Sequence, residues 1–392
     1  RFLVVLSILL SAISVALTLY VPILVGDAID FIVAAGQVDV PADAEILDAA
    51  GLYVGPGLID QHSHGYQWHD IGISVNDDPA GAARGHLLHG TTTYIPSSDY
   101  GDAAAVQLGM IRRSIDAIQN DPETTIPGIH LEGPFINKRY GSCPERALDY
   151  SDEICERFFA LAAPYALHCT YAPDLPDAPR LEEKLRKYGI RPAIGHTEAG
   201  PADIERAVAR GATIFTHLYD ANGNYLGMAE AAKRTQHPQE CTADIALSIP
   251  GMYYELICDA HGFHVSKVNV NAALRAAGED HIILITDTFV EPSDGMGKNL
   301  DPESDVNYDF RGTLSGSRLT LARAARNFMR FTGADVRVAF KCAATNSAKA
   351  LGLYDRVGSI EAGRLANILL VDEAFHVKKI LLRGKELPQI RD

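Results

Sequence analysis

Two histidines one residue apart, His62 and His64 in "GPGLIDQHSHG", stand at the end of a short apolar run. Imidazole is a common ligand of divalent transition metals, so the pair could hold a cation. By itself it is a weak sign, and ordinary polar residues at a strand end read the same way. Glu132, His196, His217 and Asp287 close four further apolar runs. Imidazole with carboxylate is the ligand set that suits Zn²⁺ and related divalent ions. One or two such ions would activate water and polarise a carbonyl, which is hydrolytic chemistry. For Asp287 alone, an N-cap on a following helix is the competing reading.

Residues so far apart can meet only if the fold gathers them. Eight apolar runs alternate with amphipathic stretches: 52–60, 91–98, 125–133, 166–173, 191–198, 212–220, 253–260 and 281–288. Strand and helix in alternation predict an α/β fold, a (β/α)8 TIM barrel, in which catalytic groups sit at the C-terminal ends of the strands. Residues 319–333 and 335–352 read as helices, and the tail "GSIEAGRLANILLVDEAFHVKKILLRGKEL" alternates short β runs with turns. The expected organisation is a barrel over 55–352 and a small β domain formed by the chain ends. Residues 353–392 make most of that domain, and 36–54 are a remnant of its amino-terminal side, which leaves a sheet edge unpaired.

The 392 residues carry a formal net charge of −15. No basic stripe is present to neutralise phosphates, which excludes a nucleic-acid partner. Six scattered Cys without a CxxC pair suggest neither a disulfide framework nor a thiolate zinc site, so a cytoplasmic location is expected. Residues 2–25 carry no charge and, at roughly 24 residues, are long enough to span a bilayer. "LYVPILVGDAID" resembles the first membrane helix of ABC-type exporters, yet no GxxxxGK[ST] phosphate loop follows. Residues 1–35 are therefore read as an apolar segment of separate origin, joined near Phe31–Gly36. Membrane contact is expected only if residues 1–25 act as an anchor.

"PGLIDQHSHG", "HLEGPF", "GHTEA", "THLYDANG", "TDT" and "GTLSGSRLT" together resemble the ordered motifs of the N-acetylglucosamine-6-phosphate deacetylase family, within the amidohydrolase superfamily. The resemblance runs from about Ala49 to Leu387. It implies that Glu132, His196 and His217 bind the main divalent ion and that His62 and His64 help bind a second. Other branches bridge two metals with a carboxylated lysine, where this chain has Glu132. Asp287 matches the catalytic carboxylate, and His264 in "HGFHV" the histidine beside the scissile amide. The substrate side falls on Cys143, Asp220, Ala221, Arg234 and His264. Here the chain departs from the family: Asp220 replaces an asparagine that helps hold phosphate, Cys143 a His or Gln, and His261 an Asp. The implied activity is hydrolysis of the N-acetyl amide of an amino sugar, N-acetylglucosamine 6-phosphate, by a homodimer. An amidohydrolase acting on a different N-acyl amine or cyclic amide is the alternative.

Overall fold

The computed structural model describes residues 46–69, 71–98, 103–142, 146–223, 241–290, 304–309 and 312–388. Its strands in chain order are β1 (Tyr53–Pro56), β2 (Leu58–Ser63), β3 (Gly65–Trp68), β4 (Ile71–Ser74), β5 (Thr91–Ser98), β6 (Ile129–Glu132), β7 (Ala166–Tyr171) and β8 (Arg191–Ile194). There follow β9 (Ile214–Phe215), β10 (Tyr253–Ile257), β11 (Ile282–Ile285), β12 (Val306–Tyr308), β13 (Leu314–Ser317), β14 (Ile368–Val371), β15 (Val377–Leu382) and β16 (Lys385–Leu387).

All eight apolar runs contribute a strand to one sheet, ordered β11-β10-β9-β8-β7-β6-β5-β2, with every pairing parallel. Helices between the strands cover the outer face. In the helix Asp152–Ala162, Cys155, Phe158, Phe159 and Ala162 form the buried stripe that helical spacing requires, and the Ser151 side chain caps its first turn. Covered on both faces, β11 can be apolar throughout, and Ile282, Ile283, Leu284 and Ile285 are all fully buried.

The barrel closes where β2 meets β11. No strand ladder joins them; the seam is a short set of bonds at one end. Asp287 N donates to His62 O at 2.9 Å and His64 N to Thr288 O at 2.8 Å. The Asp60 carboxylate accepts from Thr286 Oγ1 at 2.6 Å and from Thr286 N at 3.3 Å. Burial pushes the Asp60 carboxyl up to about 7, against those bonds.

The first run is two strands rather than one. β1 belongs to an antiparallel sheet ordered β1-β14-β15-β16, and β2 to the barrel. Gly57 is the crossing point, with its N–H on Asn367 O at 2.8 Å. A Cβ there would lie 2.1 Å from Thr92 Oγ1 and 2.8 Å from Thr92 Cβ. Only glycine lets the chain pass so close to β5. Among the described residues β1 is a sheet edge, with Tyr53 and Val54 about half exposed.

Two further departures from the sequence reading are local. The helix expected near the end of the barrel is present over residues 336–351, but its middle is a π-helical segment (Lys341–Thr345) between α-helical ends Val336–Phe340 and Asn346–Leu351. Immediately after the π segment, Asn346 Nδ2 donates to the carbonyls of Glu279 and Ile282. The hairpins β3–β4 and β12–β13 carry too few residues for a readable alternation.

Replacing Gly57 by Ala is expected to cost about 1–3 kcal/mol through overpacking against Thr92, read as a lower urea midpoint with unchanged slope. An unchanged midpoint would contradict the close approach.

Candidate metal centre

Every candidate ligand sits at the same end of the barrel. His62 lies in the last turn of β2, with His64 just beyond it, and Glu132 is the last residue of β6. His196, His217 and Asp287 each stand two residues past the end of β8, β9 and β11. These last three adopt left-handed backbone, with φ of 49°, 30° and 47°. That region is sparsely populated by residues other than glycine, and strain of this kind collects at functional sites. Asp287 is pinned on both sides, because its carbonyl accepts from Ser317 N at 2.8 Å while its N–H holds His62 O. No helix starts at residues 288–290, so the N-cap reading of Asp287 does not apply.

Glu132 is the hub. Its Oε1 lies 2.9 Å from His196 Nε2, 3.2 Å from His217 Nε2 and 3.2 Å from His62 Nε2, while Oε2 lies 2.7 Å from His64 Nε2. Asp287 Oδ1 is 3.5 Å from His62 Nε2 and 3.4 Å from His64 Nε2. Two triads result, His62–His64–Glu132 and Glu132–His196–His217, each with its ligand atoms within 4.8 Å of one another. Glu132 belongs to both and could bridge two ions.

The chemistry of the donors tests whether a cation fits. His196 Nδ1 is 3.3 Å from Tyr140 O, and His217 Nδ1 is 3.0 Å from Asp220 O. A carbonyl only accepts, so both Nδ1 atoms carry hydrogen and both Nε2 atoms are left with a lone pair. Those lone pairs face each other at 3.0 Å and share one carboxylate oxygen. Such an arrangement repels unless a proton or a metal ion sits between. His62 Nε2, fully buried, has no hydrogen-bond partner although carboxylate oxygens surround it. The residues fit a divalent ion.

Without metal, protons take its place. Burial drives Glu132 upward, but His62 and His64 hold it well below the usual carboxylate range. Burial lowers His217, yet the hydrogen bond and charge of Glu132 raise it to about 9. His62 is likewise raised well above its ordinary value, Glu132 and Asp287 overcoming desolvation. The layer beneath behaves oppositely. His130 and His168 stack at 4.0 Å with 5° between ring planes, and desolvation holds His130 well below its ordinary value and His168 near 4.

Near the hub, His264 Nδ1 lies 3.1 Å from Asp259 Oδ2, and its buried Nε2 has no hydrogen-bond partner. Burial lowers its proton affinity, but the Asp259 bond and the charges of Asp220, Asp259 and Asp287 raise it overall. A cavity of about 210 Å³ opens over the hub, lined by His64, Glu132, His196, His217, Asp220, Ala221, Asp287 and Phe289, with Thr313–Gly316 as one wall. Another cavity, about 300 Å³ and bordered by Thr92, Ile126, Arg356 and Asn367, holds none of the candidate ligands. Cys143 and Arg234 lie outside the described residues. Sequence reasoning missed Glu255, which faces His62, and Asp259, which sets His264 from five residues upstream.

The sequence pattern of the Amidohydrolase family matches residues 53–387. The chain belongs to the amidohydrolase family. This amidohydrolase is 28% identical over 360 residues to the N-acetylglucosamine-6-phosphate deacetylase of Bacillus subtilis, covering 89% of this chain and 86% of that protein. With the N-acetylglucosamine-6-phosphate deacetylase of Vibrio furnissii it shares 27% over 338 residues, 84% of this chain and 82% of the relative. The crystal structure of the Thermotoga maritima N-acetylglucosamine-6-phosphate deacetylase superposes with a TM-score of 0.73 at 24% identity, covering 91% of this chain and 93% of that one. That likeness supports the barrel of the amidohydrolase. The comparisons do not support the resemblance of residues 1–35 to an exporter helix. Those residues lie outside the described ones, and among the described residues no helix is long and apolar enough to cross a membrane.

Two outcomes follow for the amidohydrolase. Because His217 is raised to about 9, it is protonated at pH 7 in the metal-free chain, and metal uptake must expel that proton. Calorimetric metal titration in buffers of different ionisation enthalpy should show release on the order of one proton per ion; heats independent of buffer would contradict it. Glu132→Ala, by removing the member common to both triads, should leave well under one tightly held ion per chain by elemental analysis, whereas full retention would show that the hub is no ligand.

Proposed function

We propose that this amidohydrolase removes the acetyl group of an N-acetylated amino sugar, converting N-acetylglucosamine 6-phosphate to glucosamine 6-phosphate and acetate. The carrying observation is the Glu132 hub with Asp287 beside it, at the mouth of a barrel whose sequence relatives are named N-acetylglucosamine-6-phosphate deacetylases. Glu132, His196 and His217 would hold the main ion, and His62 and His64 a second; imidazole nitrogen and carboxylate oxygen favour Zn²⁺. When bound, such an ion polarises the amide carbonyl and lowers the pKa of water to about 7.

The protein's own groups do the rest. Asp287, fixed between His62 O and Ser317 N and lining the cavity, takes the proton of the attacking water. It then delivers that proton to the departing amine, which a single carboxylate within reach of both can do. His264, oriented by Asp259, presents Nε2 toward the acyl oxygen. The same reading takes the enzyme to be a cytoplasmic homodimer, as the family resemblance implies.

A second reading is favoured by Asp220. Its side chain belongs to a cavity wall that also carries Glu132 and Asp287, and no Lys or Arg stands among the described lining residues. Carboxylates repel a phosphate dianion. An unphosphorylated N-acyl amine or a cyclic amide would meet no such repulsion, and Arg234 would then have no phosphate to bind.

Acetate release from the zinc-loaded chain, with N-acetylglucosamine 6-phosphate and N-acetylglucosamine offered in parallel, separates the readings. Faster turnover of the phosphorylated sugar is the expected result; turnover of neither would overturn the deacetylase reading. Asp287→Asn should lower kcat by about 10²–10⁴-fold with metal content retained. Undiminished kcat would remove Asp287 from the mechanism.

A further inference from the structure

The two triads differ in what stands behind the ligands. For His196 and His217 it is backbone: the carbonyls of Tyr140 and Asp220 accept from Nδ1. For His62 it is a carboxylate. Glu255, on β10, is fully buried and places Oε2 3.3 Å from His62 Nδ1. Its other oxygen accepts from Gln61 Nε2 at 2.5 Å. One strand, β2, therefore supplies both the candidate ligand and the amide that fixes the ligand's partner.

Hydrogen bonding to Nδ1 selects the tautomer that leaves Nε2 free for a metal, and a carboxylate acceptor also makes that nitrogen a stronger donor. A backbone carbonyl does the first and contributes much less to the second. Glu255 in turn has lost its hydration to the barrel interior, and once His62 is in the neutral form that metal ligation requires, an amide and an imidazole replace only part of it. A cation on the far side of the His62 ring offsets the remainder. His62 Nε2, buried and without a hydrogen-bond partner, points to where that cation would be, beside Glu132 and Asp287.

We infer that Glu255 is a positioning residue that gives the His62–His64–Glu132 triad its hold on a second divalent ion, acting through His62 and touching neither ion nor substrate. The inference rests on the metal-dependent reading above but concerns the number of ions held, not the molecule cleaved.

The test is metal content of the full chain, equilibrated against graded chelator and titrated with Co²⁺. The parent should take up two ions. Glu255→Gln should keep the first with parent affinity and weaken the second about 10–100-fold, the usual effect of losing such a partner. Glu255→Asp, which keeps the buried charge but withdraws it from His62, should show the same selective loss and serves if the glutamine variant folds poorly.

Three results would overturn the inference: both variants holding two ions like the parent, both ions weakening together as the melting temperature falls, or a parent that binds a single ion. In the last case acetate release by the single-ion chain would leave the deacetylase reading standing. Two ions with selective loss and no acetate from any amino sugar would instead uphold the Glu255 role and remove that reading.

Discussion

One buried carboxylate, Glu132, faces the Nε2 atoms of four imidazoles at 2.7–3.2 Å. An ionised carboxylate removed from water is costly unless positive charge or several donors surround it. The backbone carbonyls behind His196 and His217 deny it those donors by taking the Nδ1 hydrogens. The hub is thus satisfied by protons or by metal, and the ligands compete for nothing else. Much of the surrounding architecture can be understood as holding that frustrated cluster together.

The barrel seam is part of this. β2 and β11 meet through backbone bonds made by His62, His64, Asp287 and Thr288, the same residues or direct neighbours of those that furnish the site. Closing the cylinder and placing the acid beside the imidazoles are one structural event. Asp60 ties the seam from inside through Thr286, and β13 ties it from outside through Ser317. Left-handed backbone at Asp287 is tolerated because these flanking bonds overdetermine it.

The barrel was legible because parallel strands covered on both faces must be apolar runs, and eight of them stand between helices with readable stripes and caps. The ligand types were legible for a related reason: polar residues closing apolar runs have few other purposes at that end of a barrel. What failed to show was everything set by contact across the sequence. Gly57 looks like one more residue in a strand until Thr92 is seen against it. Glu255 stands in "YYELICDA" as a lone acid within its strand, and only the closing of the sheet, which brings a β10 side chain to one on β2, reveals its partner. The role of Asp259 is hidden because its bond to His264 runs round a turn that spacing does not specify.

Below the hub, His130 donates and accepts through Ser97 and Thr170 hydroxyls and stacks on His168, and both rings stay uncharged at neutral pH. Aromatic nitrogen heterocycles without charge make a polarisable but electrically silent floor. Incoming cations are therefore not pushed back by these two rings.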